Sequence, residues 1–585
     1  METLLACLTD LYGAQQAQLV SQRLLNLCAA YAPRLAVCRA RQPRATSPPG
    51  PGEAVLITYA DMVQRQGVPP LEELAHFAAQ YLQGVVTSLH ILPFFPYSSD
   101  DGFSVIDYRQ VNPEFGGWQD ITRLSQGFSL MFDLVINHVS AQSAWFEAFL
   151  RGAPAYQDYF ITPQGSHDLS RVVRPRATPL LTSFDTTAGV KRVWTTFSAD
   201  QVDLNFHNPE VLLEMVDILL FYLCQGAELI RLDAIGYAWK EPGTACINLP
   251  QVHRLVQLLR AVLDRAAPWA KLVTETNVPH AENTAYFGDG GNEAQMVYNF
   301  ALPPLVLHAF HTGSSQALAR WAAGLQPPSP RAAFFNFLAS HDGIGLNPVR
   351  GILAEEEIDA LVQRALAHQG HVSYKSNPDG SSSPYELNIN YFDALSDPRS
   401  GEPEALQVER FLCAQAIMLA LSGVPGIYFH SLVGSRGWPE GVRIQGARRA
   451  INRQKLQAVE LEGELSNPAS LRSQVYHRYA QLLQARAGSP AFDPCLPHQV
   501  IPCGPAVFGL LRQAEVEGSG AEQVLCLHNL SASPQVVAPV PWSAPAVDSQ
   551  EDRGPGWIDL LSQQTFSAGG PLWLAPYEAL WLRRQ

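Results

Sequence analysis

Short, almost continuously apolar runs recur along the chain: Val55–Tyr59, Val85–Leu92, Leu130–Ile136, Glu228–Leu232, Leu272–Glu275, Met296–Phe300, Phe334–Leu338 and Gly426–Phe429. Runs of this length without polar alternation suit strands buried on both faces, and stretches of helical spacing separate them. Eight strands alternating with helices is the number a closed (β/α)8 barrel requires, so the pattern predicts an α/β fold of that class.

Ahead of the first run, Leu4, Leu8 and Leu11, then Val20, Leu24, Leu27 and Tyr31, recur at helical spacing, which predicts two amphipathic helices packed on the barrel. A Pro/Arg/Gly-rich stretch, Arg39–Gly52, reads as a flexible link. Two long excursions interrupt the alternation. Val139–Asp203 is rich in Arg, Pro and Thr, and Leu346–Ser400 contains the polar, Gly/Pro/Ser-rich stretch Tyr374–Tyr385. Loops this long inside a compact fold are usually functional or disordered. Beyond Pro490 come the short runs Val507–Leu511, Gln523–Leu527 and Leu572–Leu582, which predict a small C-terminal all-β domain. The expected division is a helical extension and linker over 1–52, the barrel over 53–138, 204–345 and 401–485, inserted lids over 139–203 and 346–400, and the β-domain over 490–585.

Composition narrows the function. The 585 residues are 47% hydrophobic, enough for several cores, and carry a net charge of −14. An acidic chain with no basic, aromatic-interleaved cluster gives no surface for nucleic acid. No apolar run reaches membrane-spanning length. Nine cysteines with no CxxC and no metal-ligand spacing fit free thiols, and a cytoplasmic location is expected.

The chemistry begins at Ala227–Tyr237, AELIRLDAIGY, where Arg231 and Asp233 sit inside an apolar strand. Side chains two apart share a face, so cation and carboxylate emerge together, and the guanidinium favours the ionised carboxylate. Taken alone, this is equally well a structural ion pair. Three more strands close on polar clusters: Thr274-Glu275-Thr276, Ser340-His341-Asp342-Gly343, and Asp133–His138, which reads DLVINH. These four clusters, in this order, resemble the four short regions that mark glycoside hydrolase family 13, the α-amylase family, whose (β/α)8 barrel carries its site on the strand ends. The wording DAIGY, SHDGIG and LPP is closest to the sucrose phosphorylase branch, and the resemblance runs from about Val55 to the C-terminus.

The resemblance implies a retaining α-glucoside phosphorylase, which converts a glucosylglycerate- or sucrose-type glucoside plus phosphate into α-D-glucose 1-phosphate and the released acceptor. Asp233 would be the nucleophile, oriented by Arg231. Glu275 would be the general acid and then base, kept protonated by the carboxylates of Asp233 and Asp342, and Asp342 the third acid that stabilises the transition state. His138 and His341 would bind glucose hydroxyls. Asp100 and Phe103 of SSDDGF would line the glucose pocket, which Arg449 of RRAINR would close from beneath by pairing with Asp100, and Phe197 would pack over the intermediate. Arg176 of RPRATP and Tyr385 of PYELN would grip phosphate, with Lys375 as a further anion site.

Glu386 stands where sucrose phosphorylases have glutamine, and TNVPHAEN also departs from them, towards relatives that act on glucosylglycerate or sucrose 6-phosphate. Both acceptors are anions, which Glu386 would repel unless paired with a cation; Lys375, Arg350 and Arg174 are the candidates. The segment NHVSAQSAWF has no arginine for a second phosphate group, which favours glucosylglycerate. Asn137 matches a calcium ligand of amylases, a metal this branch generally lacks, so no metal and no cofactor are expected. A small glucoside and inorganic phosphate are the expected partners of a monomer or homodimer. Alternatives left open are a sucrose or sucrose 6-phosphate phosphorylase, a hydrolase or transglucosidase of the same family, and a non-catalytic carbohydrate-binding protein. The intact Asp233, Glu275 and Asp342 weigh against the last.

Overall fold

In a computed structural model of the chain, which describes residues 2–41, 49–163, 165, 167–377, 380–516, 520–538, 556–567 and 570–585, eight parallel strands close into a barrel. They are β1 (Val55–Thr58), β2 (Ser88–Ile91), β3 (Ser129–Val135), β4 (Ala227–Asp233), β5 (Lys271–Thr274), β6 (Met296–Tyr298), β7 (Ala333–Asn336) and β8 (Val424–Tyr428). Each pairs with its sequence neighbours, and β8 closes on β1. Nearly every strand position is buried, as parallel strands covered on both faces must be.

Two helices precede the barrel, α1 (Glu2–Tyr12) and α2 (Ala14–Arg41). They pack on the outer helices α3 (Pro209–Cys224) and α4 (Pro250–Ala266), burying Leu4, Leu8, Val20 and Leu24. Tyr12 Oη donates to the Phe206 carbonyl at 2.9 Å, and Arg254 meets Asp10 at 2.8 Å, pinning this layer to the barrel. The expected link from Arg39 needs correcting at its start: α2 runs on through Arg41, because Arg39–Arg41 continue a helix already anchored by its apolar face. Within the rest of that stretch, 42–48 lie outside the described residues.

After β3 the chain forms a two-stranded antiparallel pair, His138–Ser140 with Gln201–Asp203, and a hairpin, Leu181–Thr186 with Gly189–Trp194. After β7, Ile344–Gly345, Ser382–Asn388 and His371–Ser376 make a three-stranded antiparallel sheet. The two excursions touch through an isolated bridge between Arg174 and Ser376, so they meet above the strand ends. The chain ends in a six-stranded antiparallel sheet with a separate two-stranded pair beside it. Leu572–Leu582 is two strands there, not one: Leu572–Leu574 pairs with Gln535–Val537, and Ala579–Arg584 joins the larger sheet. Pro576 has no N–H to donate and Tyr577 adopts φ 56°, so the chain turns between them. Among the described residues, no helix is long and apolar enough to cross a membrane.

Candidate active site

The C-terminal ends of the barrel strands carry the polar clusters, and register decides which of them meet. Asp133 on β3 lies opposite Arg231 on β4, with Val135 opposite Asp233. One Arg231 nitrogen, Nη1, donates to Asp133 Oδ1 and to Asp233 Oδ1, the latter at 2.7 Å. The other, Nη2, lies 3.7 Å from Glu275 Oε2. A single buried guanidinium thus spans three carboxylates from three adjacent strands. His90 Nε2 binds the other Asp133 oxygen at 2.7 Å, so Asp133 is fully engaged from below.

Directly after Asp233, Ala234 adopts φ 48° and ψ 33°, a left-handed conformation that costs a non-glycine residue about 1 kcal/mol. That turn points the Ala234 N–H at Glu275 Oε2, 2.9 Å away. Oε2 therefore accepts, leaving Oε1 to carry a proton. Likewise Arg231 occupies Asp233 Oδ1, and Oδ2 is left facing the pocket.

Burial dominates the ionisation of this pair. It pushes Asp233 up to about 7 against the pull of Arg231, with Asp133 adding to the rise. Glu275 is pushed up to about 7 by burial, again against Arg231, with Asp233 and Asp342 adding. Arg231 still pulls Asp233 towards the ionised form, but that guanidinium is shared with Asp133 and the site is desolvated, so burial outweighs the pull. Of the two, Asp233 ionises first, since it alone accepts a 2.7 Å bond from Arg231. Carboxyl groups with folded-state pKa values above their unfolded values stabilise the protein below the unfolded pKa, and that stability is lost as pH rises through about 7. Glu275→Gln removes the penalty, so its melting temperature should exceed the wild-type value by more at pH 8 than at pH 5. A difference that does not change with pH, measured by calorimetry, would contradict this.

Asp342 follows β7 and stays ionised: burial pushes it up, but the Arg449 and Arg453 guanidiniums hold it well below the usual carboxylate range. Arg449 pairs with Asp342 Oδ1, and Arg453 Nη2 stands 3.7 Å from the same oxygen. The His341 ring stacks on Phe103, centroids 4.7 Å apart and planes within 8°, and burial lowers it to about 3, so it is neutral. Its Nδ1 is buried with no hydrogen-bond partner among the described residues. His138 is also lowered by burial; its Nε2–H donates to the Phe103 carbonyl at 2.9 Å while Asn137 donates to its Nδ1 at 3.3 Å. The Phe197 ring lies 5.3 Å from that of His138.

The expected pairing of Arg449 with Asp100 does not occur. Arg453, four residues on, takes that place, with Nη1 3.4 Å from Asp100 Oδ1 and Nε donating to the His341 carbonyl at 2.8 Å. Arg448–Asn452 forms a short 3-10 helix, which turns Arg449 towards the second excursion and leaves Arg453 under the pocket. There Arg449 grips Glu386 with Nη2 at 2.8 Å and Nε at 3.2 Å. Glu386 is 1% exposed and also accepts the Gly343 N–H at 3.0 Å. A β-carbon on Gly343 would fall 2.6 Å from Glu386 Cγ, so only glycine admits this approach.

One pocket collects Asp100, Phe103, His138, Phe197, Asp233, Glu275, His341 and Asp342 at its base and Arg176, Tyr385, Glu386 and Arg449 towards the excursions. Arg231 lies behind its wall. Lys375 is not brought to it: its ammonium is bound to Asn347 Oδ1 at 2.9 Å. Nor are Arg350, paired with Glu355 at 2.7 Å, and Arg174, whose Nη2 donates to the Thr178 carbonyl. Asn137 Oδ1 accepts from the Lys240 ammonium, which also meets Asp203 at 2.6 Å. Reasoning from sequence missed Arg453, Gln201 and Tyr237. Gln201 Nε2 reaches Asp100 at 3.4 Å, and Tyr237 sets its edge against Phe197, centroids 5.4 Å apart. Tyr237 lies in the DAIGY wording itself, the one signal that could have exposed it.

Residues 78–342 match the family model described as the α-amylase catalytic domain. The chain is 49% identical to a glucosylglycerate phosphorylase of Allomeiothermus silvanus, over 91% of each chain. It is 53% identical to a glucosylglycerate phosphorylase of Spirochaeta thermophila, over 82% of this chain and 80% of that one. Among solved structures, the sucrose 6F-phosphate phosphorylase of Thermoanaerobacter thermosaccharolyticum superposes with a TM-score of 0.70 at 25% identity, covering 83% of this chain and 95% of that one. With a closed barrel, its acids at the strand ends and relatives at this identity along nearly its whole length, the chain belongs to the α-amylase family, glycoside hydrolase family 13.

Proposed function

We propose that the protein is a glucosylglycerate phosphorylase acting with retention. The observation that carries the chemistry is the single guanidinium of Arg231, which holds Asp233 by one nitrogen and faces Glu275 with the other at the base of one pocket. Retention needs two carboxyl groups about 5 Å apart, one to attack and one to protonate. Identity of 49% and 53% to two glucosylglycerate phosphorylases, over 91% and 82% of the chain, supports the choice of substrate.

In the first half-reaction, Asp233 Oδ2 attacks C1 of the bound glucose. The bond from C1 to the glycerate oxygen breaks, and that oxygen takes the proton from Glu275 Oε1. In the second, a phosphate oxygen attacks C1 of the β-glucosyl ester, its proton passes to Glu275, and Asp233 leaves as a carboxylate. Each inversion cancels the other, so the product is α-D-glucose 1-phosphate. Asp342, held ionised by Arg449 and Arg453, stabilises positive charge developing at C1. Phe103 and His341 form one wall of the glucose site, and Asp100, held from beneath by Arg453, forms its floor. Arg176 and Tyr385 receive the phosphate. The chain's nine cysteines, without CxxC spacing, support a cytoplasmic location.

Initial rates of phosphorolysis on glucosylglycerate, sucrose and sucrose 6-phosphate at equal concentration test the substrate. Glucosylglycerate should be cleaved fastest by a wide margin, and a preference for either sucrose would refute the assignment.

A further inference from the structure

The anionic acceptor poses an electrostatic problem, because five carboxyl groups line the pocket, Asp100, Asp233, Glu275, Asp342 and Glu386, and all but the proton donor Glu275 act as anions. Two cations line it with them, Arg176 and Arg449. Arg449 is committed. Its guanidinium is divided between Asp342 and both oxygens of Glu386, so no edge of the fork is left for a ligand carboxylate. Arg453 is spent beneath the floor on Asp100 and the His341 carbonyl. Lys375, Arg350 and Arg174 have partners outside the pocket.

Arg176 differs from all of these. Its side chain is 25% exposed, it makes no hydrogen bond among the described residues, and its one ion-pair contact is Glu386 Oε2 at 4.0 Å, beyond hydrogen-bond reach. Resting on the glucosylglycerate reading, we infer that Arg176 is the acceptor-charge reader: its fork takes the carboxylate of glycerate in the first half-reaction and the phosphate that replaces it in the second. Glu386 does not touch the acceptor. It is a positioning residue: neutralised by Arg449, it stands with Oε2 4.0 Å from Arg176 Nη1, near enough to attract that cation and too far to bond it. One cation serving two successive anions also gives an order to the cycle, since glycerate must leave before phosphate can be gripped.

The test isolates acceptor transfer by using α-glucosyl fluoride, a donor with neither phosphate nor carboxylate. Glycerol matches glycerate except for the charge, so the readout is the ratio of kcat/KM for transfer to glycerate over transfer to glycerol. Arg176→Gln should lower that ratio at least about tenfold and lower transfer to phosphate as well, while Arg176→Lys, which keeps the charge and loses the fork, should recover part of both. The inference is overturned if Arg176→Gln loses phosphate transfer but keeps the wild-type ratio, or if glycerol transfer falls in step with glycerate in both variants. Wild-type enzyme that transfers to phosphate but not to glycerate would instead sink the substrate reading on which the inference rests.

Discussion

Asp233→Ala is expected to abolish turnover, by at least about a thousandfold in kcat, with no loss of thermal stability. Removing the nucleophile leaves no route to a glucosyl ester, and no other carboxylate can replace it. Asp342 is bound by Arg449, and Glu275 Oε2 is fixed by the Ala234 N–H. Stability should hold because Arg231 keeps Asp133, and because a carboxyl pushed up to about 7 by burial is a liability to the folded state at neutral pH. The check is steady-state kcat together with a melting curve at pH 7.5. A variant that keeps a tenth of the activity would remove Asp233 from the mechanism, and a large drop in melting temperature would make it a structural residue.

The second large effect separates the two donors. Glu275→Gln should lower kcat/KM on glucosylglycerate at least about a hundredfold, since its leaving oxygen needs a proton, while α-glucosyl fluoride, whose leaving group needs none, loses far less. The pH profile should move with it. Glu275 must hold a proton, and its pKa is raised to about 7, so wild-type kcat/KM on glucosylglycerate should fall as pH rises through that value. The variant assayed on the fluoride should lack this alkaline limb. Equal losses on both donors would leave Glu275 a purely structural part.

Strand positions were legible because they rest on local rules, whereas the carboxylates stood out through the resemblance of four strand-end clusters to the α-amylase family. A run such as Leu130–Ile136 must be buried on both faces, and residues two apart such as Arg231 and Asp233 must share one. What escaped depends on register and on turns. Nothing near Asp233 in sequence announces that Asp133, a hundred positions earlier, lies opposite Arg231 and shares its guanidinium. Burial likewise has no signature in the DAIGY wording, and it raises Asp233 against the pull of Arg231. Arg449 and Arg453 stand four apart in one hexapeptide, and only the 3-10 turn between them decides which meets Asp100. Glu386 read as a repulsive charge for the same reason, because its neutralising partner lies 63 residues away along the chain.

Phosphorolysis with retention is decided by ³¹P NMR of wild-type enzyme with glucosylglycerate and inorganic phosphate. The phosphate signal should be replaced by that of α-glucose 1-phosphate, in step with glycerate release and with little free glucose. Free glucose formed in step with glycerate while phosphate persists would show a hydrolase, and the β-anomer of glucose 1-phosphate would rule out the double displacement through Asp233.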